Sequence, residues 1–172
     1  YVESLDYDVV VKADGLAAGK GVIVCNNKDE AISAIHTILV KKTFGDAGNN
    51  ILIEERIDGI EASYIALSDG NVALPMASSQ DHKRIFDNDK GPNTGGMGAY
   101  SPTPVITDVL AEKIQKEVIE KTIHAMKNEG ISFTGFLYAG IMLKDGIPYV
   151  LEYNVRMGDP ECQPITMRMN FD

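Results

Sequence analysis

Glu152 and Asn154 stand two residues apart in the run Tyr149-Val150-Leu151-Glu152-Tyr153-Asn154. On a strand that spacing puts both side chains on one face. A carboxylate and an amide carbonyl are hard oxygen donors, suited to a Mg²⁺ (or Mn²⁺) ion that takes few protein ligands and keeps positions for phosphate oxygens. Arg156 extends the alternation if the strand holds, and a guanidinium in line with two metal donors can clamp a transferring phosphoryl group. The same residues also fit the polar outer face of an ordinary strand.

A second set lies near the start of the chain. Lys12-Ala13-Asp14-Gly15-Leu16-Ala17-Ala18-Gly19-Lys20-Gly21 joins the apolar runs Val9-Val10-Val11 and Val22-Ile23-Val24. A glycine-rich loop between strands brings backbone N–H groups close to phosphate oxygens, and its lysines add positive potential. The spacing is not that of a P-loop, and no helix pattern follows. A hairpin with a soft turn fits equally well. Downstream, Glu54-Glu55-Arg56-Ile57 closes another apolar run, with Glu61 nearby. A carboxylate at a strand end can accept from an exocyclic adenine amine, and a second can hold ribose hydroxyls. An acidic strand end with no ligand is the plain alternative. The third set is Gln80-Asp81-His82-Lys83-Arg84, followed by Gly91-Pro92-Asn93-Thr94-Gly95-Gly96-Met97-Gly98. Such a loop offers donors to a phosphate or carboxylate. His82 suits a positioning hydrogen bond better than acid–base work, and His36 and His124 read as structural.

Composition narrows the class. The 172 residues carry a formal net charge of −9, with 44% hydrophobic and 24% charged residues. An acidic chain is a poor partner for nucleic acid or an anionic membrane. Its cations Lys12, Lys20, Lys83, Arg84, Lys90 and Arg156 instead cluster beside polar or glycine-rich loops, which favours a small anionic ligand. Cys25 and Cys162 have no metal-ligand spacing and read as reduced thiols of a cytoplasmic protein. No apolar run approaches a membrane span and no signal-peptide pattern is present. The abrupt ends at Tyr1 and Asp172 suggest a piece of a longer chain.

The elements that must position these residues follow from pattern. Val9–Lys12, Gly21–Val24, Ile51–Glu55, Glu61–Leu67 and Val72–Ala77 read as strands, with a tight turn at Asp69-Gly70. Asn27 caps a helix over 28–42 whose inner face is Ile32, Ile35 and Leu39. Ser78–Pro104 reads as a long irregular loop, of a length that is usually functional. A long helix begins at Thr107 or Asp108, buries Leu110, Ile114, Val118 and Met126, and stops at Gly130. Phe136–Leu143 and Tyr149–Asn154 form a hairpin across Asp145-Gly146. A soft boundary near Asp58-Gly59 divides the chain.

In this order the motifs resemble the ATP-grasp superfamily, and within it the glycinamide ribonucleotide synthetase (phosphoribosylamine–glycine ligase) family. The likeness runs nearly end to end. It rests on Val11–Val22, Ser79–Arg84, Gly91–Pro102, Thr134-Gly135-Phe136-Leu137-Tyr138-Ala139-Gly140 and Gly158-Asp159-Pro160-Glu161. The resemblance implies an α+β (α/β) fold of two subdomains whose antiparallel sheets grip ATP, a small lid at 1–58 and a larger metal-bearing part at 59–172. It implies an ATP-dependent ligase of purine biosynthesis that joins glycine to 5-phosphoribosylamine through an acyl phosphate. By the same likeness Lys12 contacts the phosphates and Lys20 belongs to the loop closing over them. Glu54, Glu55 and Ile57 form the adenine hinge, Glu61 takes the ribose, and Arg156 steadies the transferring phosphoryl. Asp81, Lys83, Asn93, Thr94, Gly95, Gly96 and Asp159 contact substrate, while Glu152 and Asn154 hold Mg²⁺ or Mn²⁺. One departure stands out: Gly140 occupies the position where many relatives in the superfamily carry an acidic metal ligand. The resemblance further implies additional N- and C-terminal domains in the same protein.

Overall fold

The β-branched run at Val9–Ala13 forms strand β1, which takes antiparallel neighbours on both sides: β2 (Val22–Val24) and β3 (Ile51–Glu55). The computed structural model describes residues 1–17, 20–87 and 90–170, with backbone alone for Pro92 and Asn93. Gly19 of the first glycine loop and the Asn93 side chain therefore lie outside the described part. Two compact units result, Tyr1–Ile57 and Asp58–Asp172.

In the first unit, β1 alternates. Val9 and Val11 are buried, while Val10 and Lys12 face the other way. Helix α1 (Lys28–Ile35) covers the buried side and continues as a π-helical segment, His36–Val40. Asn27 caps it by accepting from the Glu30 N–H at 2.9 Å, and Glu30 reaches back to the Asn26 N–H at the same distance. The inner face differs from the expected one. Ala31, Ala34 and Ile38 are buried, whereas Ile32 is 44% exposed and Leu39 only half-buried. Both triplets share the same helical spacing. The stripe with two alanines sits inside because small side chains let the helix lie close on the sheet.

The second unit is a four-stranded antiparallel sheet in the order β11-β10-β4-β5. β4 is Ile60–Asp69, β5 Ala73–Pro75, β10 Thr134–Lys144 and β11 Ile147–Asn154. The β10–β11 turn has Asp145 at φ 53° and Gly146 at φ 75°. That is the pair of positive values a type I′ hairpin demands. Ala62, Tyr64, Ala66, Leu137, Ala139, Ile141 and Leu143 point to one face and form the core with a long helix. That helix comprises α2 (Asp108–Ile114), a π-helical stretch Gln115–Glu120, and α3 (Lys121–Asn128). Thr107 is its cap, and Gly130 follows its end with φ 81°. The π stretch adds a residue to its turn and rotates the buried face. Ile119 and Ile123 join Leu110, Ile114 and Val118 inside, while Met126, expected on that face, is half-buried.

The segment 78–104, expected to be irregular, contains four short strands among its described residues. β6 (Gln80–Asp81) pairs with β9 (Ala99–Tyr100), and β7 (Arg84–Phe86) pairs with β8 (Lys90–Asn93). Their two to four residues are too few to carry an alternation signal. A fourth helix, α4 (Asp159–Thr166), packs Ile165 against Ile65 and Tyr138 on the sheet face away from α2 and α3. Among the described residues no helix is long and apolar enough to cross a membrane.

Candidate functional site

In the first unit the strands position Lys12 and Glu54 on one face. Lys12 pairs in register with Leu52, and Val10 with Glu54. The two charged side chains are thus diagonal neighbours, and Lys12 Nζ lies 2.6 Å from Glu54 Oε2. Glu55, the register partner of Val9, is turned to the opposite face. Ile57 follows the strand and is half-buried. Arg56 fixes this strand end: its N–H donates to the Asp8 carbonyl at 2.8 Å, and its Nη1 to Asn26 Oδ1 at 2.8 Å.

Two glycines of the first loop have packing reasons of their own. A Cβ on Gly15 would stand 2.5 Å from the Ala47 Cα, and one on Gly21 would stand 2.7 Å from the Ala17 Cβ. The Gly15 N–H donates to the Ala47 carbonyl at 3.0 Å. The loop base is thereby bound to the short 3₁₀ turn Gly45–Gly48. Lys20 is exposed beside it.

The second unit gathers most of the remaining candidates on the sheet face opposite α2 and α3. Register places Glu61, Ser63 and Ile65 of β4 on that face, opposite Met142, Gly140 and Tyr138 of β10. Glu152 and Asn154 of β11 lie opposite Gly140 and Tyr138 in turn. The period-two expectation for Glu152 and Asn154 holds, and their side chains meet: Asn154 Nδ2 donates to Glu152 Oε1 at 3.3 Å. Gly140 does face Glu152, and a Cβ there would crowd the Glu152 Cγ at 3.3 Å. Among the described residues no three His, Cys, Asp or Glu side chains group as a metal site. One carboxylate and one amide oxygen on an open face fit a Mg²⁺ that keeps most of its shell for phosphate and water.

The expected alternation does not reach Arg156. β11 ends at Asn154, and the chain bends, so Arg156 is exposed with Nη1 donating to the adjacent Met157 carbonyl at 2.9 Å. β10 itself runs on to Thr134, paired there with β4, so β11 leaves the sheet before its partner does.

Lys83 and Glu61 were expected to serve different ligands, yet they form an ion pair with each other. Burial works against the Lys83 charge, but Glu61 outweighs it and the lysine pKa is raised. Asp81 is half-buried. Burial lifts its carboxyl to about 6, Lys83 works in the opposite direction, and Glu161 and Glu61 add to the rise. Thr94 braces this cluster. Its N–H and Oγ1 both donate to the Lys83 carbonyl, at 2.7 and 2.8 Å, and its Oγ1 accepts from the Gly96 N–H at 3.1 Å. Gly96 has φ 100°, and a Cβ there would meet Pro160 Cγ at 2.6 Å and Asp81 Oδ2 at 3.5 Å. Gly95 is exposed with open space around it. A shallow pocket of about 370 Å³ joins Gly96 to Asp159, which is exposed at the start of α4. His82 is exposed, with its ring 5.9 Å from that of Tyr100. A larger pocket of about 630 Å³ beside α3, lined in part by Asn71, Lys121 and Lys127, contains none of the candidates.

One polar group escaped the sequence reading. Glu161, 2% exposed, accepts at Oε1 from Ser63 Oγ and Tyr138 Oη, both at 2.9 Å. The two hydroxyls are 2.7 Å apart. Burial raises the Tyr138 pKa, keeping it a donor. Tyr138 and Glu161 each sit within a quoted motif, but nothing in their spacing brings them together.

Known proteins resemble this chain over its whole length. Residues 1–162 match the family model described as phosphoribosylglycinamide synthetase, ATP-grasp (A) domain. The chain is 58% identical to a phosphoribosylamine–glycine ligase of Vibrio parahaemolyticus and 55% identical to one of Yersinia pestis. All of the chain is covered in both matches, but only 40% of each relative. A crystal structure of phosphoribosylamine–glycine ligase from Thermotoga maritima superposes with a TM-score of 0.85 at 39% identity. That match covers 96% of this chain and 42% of the other. The fold is the α+β ATP-grasp fold. The chain belongs to the phosphoribosylglycinamide synthetase ATP-grasp (A) domain family.

Proposed function

We propose that the protein carrying this chain is an ATP-dependent ligase that joins glycine to 5-phosphoribosylamine. A free carboxylate is a poor electrophile. Transfer of the ATP γ-phosphoryl to the glycine carboxylate gives glycyl phosphate and ADP, and installs a leaving group. The amine of 5-phosphoribosylamine then attacks the acyl carbon. Phosphate departs with the C–O bond, the nitrogen loses a proton, and glycinamide ribonucleotide remains. The observation that supports this best is the family match across 1–162, which spans the strand bearing Glu152 and Asn154.

The roles are those that the family resemblance implies. Lys12 and Lys20 meet the ATP phosphates. Glu54, Glu55 and Ile57 hold the adenine, the last two through backbone groups, and Glu61 holds the ribose. Arg156 neutralises the transferring phosphoryl. Asp81, Lys83, Asn93, Thr94, Gly95, Gly96 and Asp159 receive glycine and the amine. Glu152 and Asn154 would hold a Mg²⁺ or Mn²⁺ ion, which supplies charge neutralisation at the β- and γ-phosphates. Exclusion of water around the acyl phosphate protects it from hydrolysis.

The chain spans 40% of the relatives' length, and we assign part of the glycine and amine sites to the remainder of the protein. Release of ADP by the full-length protein, with glycine and phosphoribosylamine omitted in turn, tests the assignment. The expected result is turnover only with both. ADP release independent of glycine would refute it. The isolated chain is expected to turn over more slowly than the full-length protein, and equal rates would refute that division of labour.

A further inference from the structure

Four residues, distant in sequence apart from Gly158 and Glu161, form a latch: Ser63, Tyr138, Gly158 and Glu161. The Glu161 carboxylate projects from the first turn of α4 into the sheet, where β4 supplies Ser63 and β10 supplies Tyr138. Both hydroxyls are within hydrogen-bond distance of the same carboxylate oxygen, Oε1, and the site is closed to solvent. A buried carboxylate in an otherwise apolar contact is costly unless donors satisfy it. Here two donors do, and they fix the side chain in place. The second oxygen lies over Gly158. A Cβ at that position would stand 2.0 Å from Oε2, and the three nearest atoms it would meet all belong to Glu161. Gly158 has φ −72° and ψ 145°, a conformation open to any residue. Backbone freedom therefore does not explain the glycine. The pinned carboxylate does.

The latch sets more than the helix. Pro160, one residue before Glu161, is the atom group against which Gly96 closes, and Gly96 in turn lies beside Asp81. Asp159 opens into the same pocket as Gly96. Displacing the α4 start would move the wall of that pocket and release the turn that Thr94 ties to Lys83.

We infer that Glu161 is a positioning residue: bound by Ser63 and Tyr138 and seated over Gly158, it holds the Asp159–Pro160 turn against Gly96 and so shapes the part of the site that receives the non-nucleotide substrates. This inference rests on the proposed ligase reaction. It predicts a split between substrates. Glu161→Ala in the full-length protein should raise KM for glycine or for phosphoribosylamine about tenfold and leave KM for ATP within twofold. Glu161→Gln retains the acceptor at Oε1 and should restore KM to within about threefold of wild type. Gly158→Ala should reproduce the Glu161→Ala effect in the wild-type background and add less than twofold once Glu161 is alanine. Should Glu161→Ala fail to fold, Tyr138→Phe carries the same comparison. The latch is overturned by unchanged KM values, by an equal rise for ATP, by a glutamine variant as impaired as alanine, or by a Gly158→Ala effect that ignores residue 161. A wild-type protein that needs no glycine would sink the ligase assignment itself, and is seen before any variant is made.

Discussion

In the first unit the charged candidates ride on the open face of a three-stranded sheet, with their core behind them. Lys12 and Glu54 meet across β1 and β3, and the Glu54 side chain is 41% exposed. The second unit adds charge that is enclosed: Glu161 is buried and Asp81 half-buried, whereas its Lys83–Glu61 pair, with side chains 25% and 36% exposed, is as open as the Lys12–Glu54 pair. Exposed charge suits a ligand that comes and goes, because little desolvation separates the bound and free states. Enclosed charge suits a fixed geometry, because each buried group must keep its partner. On the proposed function, the first unit meets the adenine and phosphates through partly exposed charge, and the second adds the enclosed groups that fix the geometry around bond making.

The strongest way to break that division is at β11. Asn154→Ala or Glu152→Ala in the full-length protein should lower ADP release by at least ~100-fold, the scale of losing a preorganised electrostatic contact. The loss should fall on kcat. A variant that kept kcat and changed only KM for ATP would place Glu152 and Asn154 in binding, and erase the contrast with the first unit.

The next effect is on folding rather than chemistry. Gly15→Ala sets a Cβ 2.5 Å from a backbone atom of Ala47, which no rotamer can relieve. Overpacking of this kind costs about 3 kcal/mol. It should appear as a lower Tm and as hydrogen-exchange deprotection confined to the first unit. Unchanged exchange there would show that the loop base moves freely, and that the packing reason for Gly15 is wrong.

Asp81 sharpens the comparison through pH. Its carboxyl is raised to about 6, chiefly by burial. A raised value means the fold favours the protonated form. The associated stability is complete below the ordinary value near 3.8 and is lost as pH rises through about 6. Asp81→Asn is neutral throughout and escapes that loss. Its Tm relative to wild type should therefore climb between pH 4 and pH 7, by the equivalent of roughly 2 kcal/mol after allowance for solvent on the open side. A difference that stays flat across that range would mean Asp81 titrates as a surface acid.

How far the sequence reaches depends on the range of the interaction. β1, β3, β10 and β11 are legible because β-branched runs, alternation and Asp145-Gly146 are local signals. The shared face of Glu152 and Asn154 follows from a period of two and nothing else. The α1 face is not legible, since Ala31, Ala34 and Ile38 share their spacing with the larger Ile32, Ile35 and Leu39. Only the closeness of helix and sheet selects the smaller set. Arg156 is misplaced because β11 ends at Asn154 and the chain bends there, which alternation alone does not show. The latch lies beyond sequence altogether: Ser63 is 75 positions from Tyr138 and 98 from Glu161. No period links them, and their proximity exists only after β4, β10 and α4 have packed.

The smallest expected effect tests the open-face half of the comparison. Lys12 and Glu54 are 2.6 Å apart, with side chains 17% and 41% exposed, so water reaches the pair chiefly at the carboxylate. A double-mutant cycle with Lys12→Met and Glu54→Gln should give a coupling of less than ~1 kcal/mol in unfolding free energy. It should shrink further in high salt. The same cycle read by KM for ATP should give non-additive losses, because Glu54 holds the lysine where the phosphates are to be met. Coupling in stability that exceeds coupling in KM would mean the pair exists to hold β1 to β3. The pair would then be structural, and its proposed role at the phosphates would fail.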